Sequence, residues 1–391
     1  MQKYSSSVSG LYVHLPFCRR ICPFCGFPVL RDRDEKRERY IVYLEKELRL
    51  LAQSFQFDYR KLKSVYFGGG TPSRFSIDQL SRMVECVGTC IGSSPGRHWS
   101  IEVNPEDIEP SYARALRQIG FDRVSVGVQS FHDASLTMLG RFHSASQAHL
   151  AVARLQNAGF HDMNLDLIFG YPDQTPENFQ EDLRQSMRYA PTHTSVYCLA
   201  VEPKTKINRF AAWRQWQIQN EDLISSMYRF AVPYLQSHRM DQYEISNFAK
   251  VGYRSLQNAI NWSGENYLGI GLGAHSHVDS KRWGNERRWL EYRNRIDRDR
   301  LPLAFWETLS KRKRRDERLM IQLRLKEGVD VESYAEAFGV DLFDACRSEI
   351  RSLQQNKLIE TPRGRLRLTV EGMLLADEIA ATLSGRLPDT V

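Results

Sequence analysis

The sequence predicts an α/β fold of six strand–helix units, followed by a smaller and mainly helical domain. Short apolar segments recur at strand length, helix-start signals separate them, and the pattern changes from about residue 301 onward. Alternating strands and helices are typical of a parallel sheet with crossover helices, in which functional residues follow the carboxyl ends of the strands. A chain of 391 residues can bury one large core and a small one.

The six predicted strands are rich in apolar residues and cover residues 11–15, 64–67, 99–103, 123–128, 163–168 and 195–200. Helix starts separate these strands. Asp34 opens the first helix, Ser76 can cap the second and Pro110 begins the third. Ser144 begins the fourth, and Thr175 precedes a proline in the first turn of the fifth.

The tail reads as three helices, a hairpin and a last helix, at residues 315–325, 331–338, 342–354, 357–368 and 370–383. This order resembles a small winged-helix-like domain. The segment lacks a dense basic recognition helix, so nucleic-acid binding is the least favoured function. We expect the tail to cover the open side of the larger domain.

Cys18, Cys22 and Cys25 form a CxxxCxxC triplet directly after the first strand. Thiolates suit iron–sulfur clusters or zinc, and both sites normally require four ligands. A zinc site would need a fourth Cys or His, and the one histidine close by, His14, precedes the triplet. Disulfides would leave an odd cysteine, because the chain has seven. The spacing favours a cluster with one open metal position.

The remaining cysteines, Cys86, Cys90, Cys198 and Cys346, lie in apolar stretches and read as small core residues. Without an even, regularly spaced set, they indicate a reducing compartment, and we expect a cytoplasmic protein. Residues 1–10 are polar and do not resemble a signal peptide. No apolar run approaches the roughly 18 residues of a membrane span.

Positive charge exceeds negative charge, with 54 Lys and Arg against 47 Asp and Glu. Much of the excess lies in residues 31–39 and 311–315. Such runs can bind nucleic acid, an anionic partner or a membrane surface. A solvated linker face is the simpler interpretation, and we favour it.

Polar and glycine residues follow the predicted strands where a parallel sheet would bring them together. Residues 68–72 read Gly-Gly-Gly-Thr-Pro, and glycines let a backbone approach a ligand and expose N–H groups to it. Glu102, Gln129, Arg141 and Asp166 lie at or near later strand ends. Each could be a structural polar residue, and a tight turn also needs glycine. Their convergence on one face favours a ligand site.

Several longer motifs identify a family, and they lie at residues 12–18, 68–72, 124–131, 139–143, 243–249 and 268–276. With them the chain resembles the oxygen-independent coproporphyrinogen III oxidase-like family of radical S-adenosylmethionine (SAM) proteins, and within it the HemW branch of heme chaperones. The resemblance covers nearly the whole chain. It implies a partial (β/α)6 barrel over residues 1–235, an extension closing the barrel over 236–300, and the winged-helix-like domain over 301–391.

The resemblance also implies the cofactors. Cys18, Cys22 and Cys25 would hold a 4Fe-4S cluster, and SAM would chelate its open iron. SAM carries a sulfonium cation, an ammonium and a carboxylate, so its pocket needs acids, a cation and exposed backbone amides. The positions implied for it are Tyr12, Phe24, Phe27, Gly69, Gly70, Thr71, Glu102, Gln129, Arg141, Asp166, Ala200 and His275. No catalytic residue is assigned beyond the cluster.

Two functions follow from the resemblance. The first is heme binding and transfer with SAM at the open iron, and the second is an enzyme that generates a 5′-deoxyadenosyl radical, such as a coproporphyrinogen III dehydrogenase or a methyltransferase. The implied partners are a flavodoxin- or ferredoxin-type electron donor, and heme or a tetrapyrrole with a heme-accepting protein. Peripheral membrane contact is a further expectation.

One departure bears on heme. The HemW branch usually has a histidine where this chain has Gln257, in a stretch where heme has been proposed to bind. A glutamine amide is a poor axial ligand compared with an imidazole. His143, His275 or His277 could substitute.

Overall fold

A computed structural model describes residues 6–92, 96–200, 205–207, 215–217 and 220–388. Its strands are β1 (Gly10–Leu15), β2 (Phe17–Cys18), β3 (Leu30–Arg31), β4 (Ser64–Gly69), β5 (His98–Val103), β6 (Arg123–Gln129), β7 (Asp162–Phe169), β8 (His193–Cys198), β9 (Asp241–Gln242), β10 (Asn247–Ala249), β11 (Tyr267–Ile270), β12 (His275–Val278), β13 (Lys281–Asn285), β14 (Leu303–Thr308), β15 (Val329–Asp330), β16 (Ile359–Glu360) and β17 (Arg365–Leu368). Its helices are α1 (Asp34–Ser54), α2 (Ile77–Ile91), α3 (Pro110–Gln118), α4 (Asp133–Met138), α5 (Ala145–Asn157), α6 (Pro176–Met187), α7 (Glu221–Ser237), α8 (Leu256–Ser263), α9 (Trp289–Ile296), α10 (Lys311–Leu323), α11 (Val331–Phe338), α12 (Leu342–Ala345), α13 (Arg347–Gln355), α14 (Val370–Leu374) and α15 (Ala376–Ser384).

The main sheet confirms the predicted α/β class. Its strands are ordered β14-β13-β12-β11-β1-β4-β5-β6-β7-β8-β10-β9. The six from β1 to β8 in this order are parallel neighbours, and β11 is also parallel to β1. Six parallel strands in sequential order form the partial (β/α)6 barrel, and antiparallel strands extend both edges. All six predicted strands are present, although the last ends at Cys198 rather than at Ala200.

The predicted helix starts are also present. Ser76 and Ser144 each accept a hydrogen bond from the backbone N–H three residues later and complete a capping box. Thr175 caps α6 with Pro176 in its first turn, and α1 begins at Asp34. Local chemistry therefore sets where the crossover helices begin.

Alternation along the parallel strands separates the core from the barrel interior. In β6, Val124 and Val126 are buried against the helices, whereas Arg123 and Ser125 line the interior. Each buried apolar side chain of this kind contributes roughly 1.5–3 kcal/mol. The same two-residue period runs through β7 and β8. The outer face thus supplies the core, and the inner face is left free for polar side chains.

The tail is the mainly helical domain that the sequence predicts, with a three-stranded antiparallel sheet ordered β15-β17-β16. Two details were wrong. The predicted helix over 342–354 divides into α12 and α13 at Cys346, and the last helix divides into α14 and α15 at Leu375. Cys346 has φ −118° and ψ 28° and Leu375 has φ −117° and ψ 25°, and neither pair of angles is helical. The boundaries near residues 235 and 300 stay predictions.

The tail packs against the outer helices α7 and α8 rather than over the opening of the barrel. The guanidinium of Arg324 lies 5.1 Å from the ring centroid of Trp262 in the last turn of α8. Arg229 of α7 forms an ion pair with Glu371 of α14 at 2.7 Å. Among the described residues, those that line the barrel cavity all precede residue 288. Our expectation of a cover over the open side was therefore wrong. No helix in the described ranges has the length and apolar character of a membrane span.

Candidate cofactor site

A cavity of about 1030 Å³ runs through the barrel and opens at the carboxyl ends of the parallel strands. Ligand pockets typically measure roughly 300–1,000 Å³, so this one has room for more than a single small molecule. All fifteen predicted site residues line it, namely Tyr12, Cys18, Cys22, Phe24, Cys25, Phe27, Gly69, Gly70, Thr71, Glu102, Gln129, Arg141, Asp166, Ala200 and His275. The topology thus brings together residues that are up to 263 positions apart.

The cysteine loop is fastened at its base. The β2–β3 pair joins the two ends of the loop, and the backbone N–H of Leu30 donates to Pro16 at 2.7 Å. The N–H of Asp32 donates to the Cys18 carbonyl at 3.0 Å, while the Asp32 carboxylate accepts from Arg74 at 2.8 Å. A loop held at both ends presents its thiols in a defined orientation.

The thiols of this loop lie among groups that influence their protonation. Burial raises the pKa of Cys18 to about 12, against a lowering by the Thr71 hydroxyl, which lies 3.5 Å from the sulfur. Burial also raises the pKa of Cys25. Metal ligation requires thiolates, so binding iron here would release protons. No three Cys, His, Asp or Glu side chains of the described residues converge closely enough to hold a single metal ion.

The glycine segment differs from our expectation. The N–H of Gly69 donates to the Glu102 carboxylate, that of Gly70 to Leu15, and that of Thr71 to Phe17, each at 2.9 Å. These donors are used within the protein, so the prediction that they face a ligand was wrong. Carbonyl oxygens carry two lone pairs and can still accept from a ligand ammonium. A Cβ at Gly70 would lie 2.6 Å from the Pro16 carbonyl carbon, so only glycine fits beside the cysteine loop.

Two buried acids face each other across the interior. Burial raises the pKa of Glu102 to about 7, although the Gly69 N–H and the Tyr66 hydroxyl stabilise its carboxylate. Burial also raises the pKa of Asp166, which accepts hydrogen bonds from Ser125 at 3.1 Å and Asn164 at 2.8 Å. An ionised carboxylate with few partners in such surroundings favours a bound cation.

Arg141 places a positive charge beside the cysteine loop. Its Nη2 donates to Asn104 Oδ1 at 2.7 Å and to the Gly127 carbonyl at 3.1 Å, and its Nη1 lies 3.5 Å from the Cys22 sulfur. Its buried Nε has no hydrogen-bond partner among the described residues. An unpartnered buried donor beside the cysteine loop fits a ligand carboxylate or a cluster sulfide.

Gln129 shows the backbone strain expected of a binding residue. It has φ 68°, in the left-handed region, and it follows an irregularity in the β6–β7 register. Left-handed backbone is unfavourable for residues other than glycine and is enriched at functional sites. The turn directs the glutamine side chain toward Gly127, where a Cβ would lie 3.1 Å from its amide nitrogen.

His14 is a site residue that the sequence analysis did not select. Its Nε2 lies 3.0 Å from the Pro28 carbonyl and its Nδ1 lies 3.0 Å from the Tyr12 hydroxyl. Burial lowers the pKa of His14 to about 4, so the ring is neutral at pH 7. Because a carbonyl can only accept, Nε2 carries the proton and Nδ1 accepts from Tyr12. His14 therefore joins the predicted SAM contact Tyr12 to the end of the cysteine loop.

The sequence analysis missed further residues that line the cavity, and these residues share one sequence pattern. Tyr66, Asn164, His193, Ser195 and Tyr197 alternate in phase with predicted site residues of their own or neighbouring strands. Polar side chains at alternate positions of a buried strand indicate an inward face. Applied to every strand, that period would have found them.

The alternative heme ligands lie in different places. His143 is buried outside the cavity, with its Nε2 3.0 Å from the Val128 carbonyl and its Nδ1 3.4 Å from the Glu106 carboxylate. His277 also lies outside the cavity, and His275 lines it. The prediction that Cys198 is a core residue was wrong, because it is exposed and faces the cavity from the end of β8.

Comparison with known proteins identifies the class. The family model described as the Radical SAM superfamily matches residues 12–185, and the model described as the HemN C-terminal domain matches residues 309–375. The solved structure of coproporphyrinogen III oxidase (HemN) from Escherichia coli, described as a radical SAM enzyme, has a TM-score of 0.82 at 23% identity. It covers 98% of this chain and 91% of its own, which shows the shared fold.

Two relatives refine the class. The chain is 31% identical over 382 residues to the heme chaperone HemW of Bacillus subtilis (strain 168), covering 97% of this chain and 100% of that protein. It is 32% identical over 270 residues to the heme chaperone HemW of Escherichia coli (strain K12), covering 69% and 70%. The chain belongs to the HemW family of radical SAM proteins, whose cofactors are a 4Fe-4S cluster and SAM.

Proposed function

We propose that this protein binds heme for transfer to an acceptor, and that it holds a 4Fe-4S cluster on Cys18, Cys22 and Cys25 with SAM in the barrel beneath. The observation that carries the proposal is the division of the cavity into two kinds of surface. The interior is lined by acids, amides and Arg141, which suits SAM. The rim of the cavity, formed by Phe27, Arg20 and Arg287, is aromatic and basic, which suits heme. The curated relatives are named heme chaperones.

The interior residues have complementary tasks. Glu102 and Asp166 compensate the positive charges of SAM, while Arg141 faces its carboxylate. Backbone carbonyls of the glycine segment accept from the ammonium, and Phe24 supports the adenine. When bound, the reduced cluster and SAM supply one-electron chemistry. The chain itself orients SAM, through Tyr12 and Gln129 among others, and keeps water from the open iron.

The rim carries the features that a porphyrin requires. Phe27 is 64% exposed and lines the cavity at its rim. Exposed aromatic rings offer flat apolar contact. Arg20 and Arg287 also line the rim and can pair with two carboxylates. Porphyrin faces are flat and apolar, and heme propionates are negatively charged, so both halves of the ligand are matched.

An acidic electron donor of the flavodoxin or ferredoxin type would fit the charge distribution. Residues 281–315 contain 13 Lys and Arg against 5 Asp and Glu, whereas the whole chain has an excess of 7. This segment therefore carries more than the whole net positive charge, and it includes the rim residue Arg287. Opposite charge steers association and accelerates it. A cytoplasmic location, with the heme acceptor in solution or at a membrane surface, completes the proposal.

The test uses protein reconstituted anaerobically with iron and sulfide. Hemin is titrated and followed by its Soret band, and the reduced sample is incubated with SAM and followed by chromatography for 5′-deoxyadenosine. A saturable heme band at about one hemin per chain supports the proposal, since one rim site is inferred. Deoxyadenosine formation that is lost in Cys22→Ala, without a heme band, would contradict it and favour a radical enzyme.

A further inference from the structure

We propose that His275 is the axial ligand of the heme iron in this protein. The inference rests on the proposed function, because it specifies how heme is held at the rim. It assigns to one cavity residue the ligand role that a glutamine at position 257 cannot fill. Three observations carry it: the partners of the other cavity histidines, the surroundings of His275, and the position of Gln257.

Among the described residues, three histidines line the cavity, and two of these have both ring nitrogens in hydrogen-bond contacts. His14 is held between Tyr12 and Pro28 at 3.0 Å on each side. His193 lies 2.6 Å from Asn164 Oδ1 and 2.9 Å from the Tyr243 hydroxyl. For His275, the described residues provide no hydrogen-bond partner to the imidazole. A histidine with a free ring nitrogen is the one that can ligate a metal without breaking an existing contact.

The His275 ring is presented to solvent but supported from behind. It is the first residue of β12 and pairs with Gly284 of β13. The Phe305 ring lies 5.5 Å away at 60°, in an edge contact. A Cβ at Gly284 would lie 3.3 Å from His275 Cε1 and 2.5 Å from Phe305 Cε1, so glycine leaves the space that the two rings share. An exposed imidazole that packs against an aromatic ring can present a ring nitrogen to a heme iron.

Charge at this position also suits the neutral imidazole that iron binds. Burial lowers the pKa of His275, and the cations Arg287 and Arg282 lower it further. Arg287 also lines the cavity, where it can pair with a heme propionate. The charges that disfavour protonation of the ligand thus also favour the anionic edge of heme.

Gln257 lies at the amino-terminal end of the parallel strands. Its Oε1 would be 3.1 Å from a Cβ on Gly10, the first residue of β1, and its Nε2 donates to Asn261 at 3.2 Å. The cysteine loop follows the other end of β1, and five residues of strand span about 16 Å. Gln257 therefore closes the amino-terminal end of the cavity and leaves the rim as the place for heme.

The experiment compares ferric heme spectra of the full-length reconstituted protein, with hemin as the probe. The variants are His275→Ala and, as the matched control, His277→Ala, which removes the same side chain from the same strand outside the cavity. We expect His275→Ala to change the Soret band and the spin state. We also expect its hemin affinity to fall by at least the roughly 10–100-fold typical of disturbed metal sites. Added imidazole should restore the wild-type spectrum.

The outcomes separate the two proposals. If wild-type protein binds hemin and His275→Ala leaves the spectrum unchanged, the ligand assignment is wrong while heme binding stands. If the wild type binds no hemin, the proposed function fails and the assignment fails with it. His275→Tyr guards against a folding artefact, because a phenolate ligand should replace the imidazole spectrum by one of its own. An unaltered spectrum in this variant would also overturn the assignment.

Discussion

Glu102→Gln should stabilise the cofactor-free protein while weakening its binding of SAM. Burial raises the pKa of this carboxyl from 4.5 to about 7. Each pKa unit corresponds to roughly 1.4 kcal/mol, so ionising this carboxyl in the fold costs at most about 3.5 kcal/mol, and water in the cavity reduces the cost to about 1–3 kcal/mol. Glutamine can keep both contacts, accepting from the Gly69 N–H and donating to the Tyr66 hydroxyl.

The sign of the pH dependence follows from the direction of the shift. Because the pKa of Glu102 is higher in the folded than in the unfolded state, the folded state binds this proton more tightly. The stability that this proton adds to the fold is therefore fully present below pH 4.5. It is lost as the pH rises through about 7. The advantage of Glu102→Gln should therefore be near zero at pH 4.5 and reach its full size at pH 8. Urea unfolding of the cluster-free protein at several pH values measures it.

The cost of this substitution should appear in SAM binding. Losing a hydrogen bond to a charged group removes about 1.5–3 kcal/mol of binding free energy. The affinity of the reconstituted variant for SAM, measured by calorimetry, should therefore fall by roughly 10–100-fold. Glu47→Gln is the control. Glu47 is buried too, with its pKa raised to about 7, but its partners Gly271, Asn285 and Tyr292 lie outside the cavity. Unchanged SAM affinity in Glu102→Gln, or an equal loss in Glu47→Gln, would refute this account.

Three further substitutions test separate parts of the account. Gly70→Ala should lose about 1–3 kcal/mol of unfolding free energy in urea and bind less iron, since its Cβ would meet the Pro16 backbone at 2.6 Å; full iron content would count against it. Gln257→His should leave the ferric heme spectrum unchanged, because this side chain lies at the closed end of the cavity; a new imidazole spectrum would contradict this. Arg314→Glu, on an exposed position of the basic segment, should slow cluster reduction by flavodoxin several-fold at low salt, and an effect that persists at high salt would speak against electrostatic steering.

The fold could be predicted because its determinants are local. Short apolar segments mark the strands, and Ser76, Ser144 and Thr175 fix the helix starts through contacts within three residues. The breaks at Cys346 and Leu375 had no such local signal. Cys346 donates from its sulfur to the Leu383 carbonyl 37 residues away, and a contact of that range is set by tertiary packing.

The predicted site residues line one cavity, their role in binding SAM stays a prediction, and their contacts were not predicted. Residue type and position at the strand ends indicated the glycine segment, Glu102, Gln129, Arg141 and Asp166, since parallel strands end together. The family resemblance added Tyr12, Phe24, Phe27, Ala200 and His275. Which donors are already satisfied depends on partners distant in sequence. The Gly69 N–H is occupied by Glu102, and His193 is occupied by Tyr243. The sequence could not distinguish these engaged groups from His275, and the structure does.

The most direct test of the central claim is the iron and sulfide content of the anaerobically reconstituted protein, with the electron paramagnetic resonance of its reduced form. We predict one 4Fe-4S cluster per chain in the wild type, with a signal that changes when SAM is added. The cluster should be absent in Cys22→Ala and retained in Cys198→Ala, although both cysteines line the cavity. A cluster that survives Cys22→Ala, or that depends on Cys198, would contradict the assignment of the three-cysteine loop.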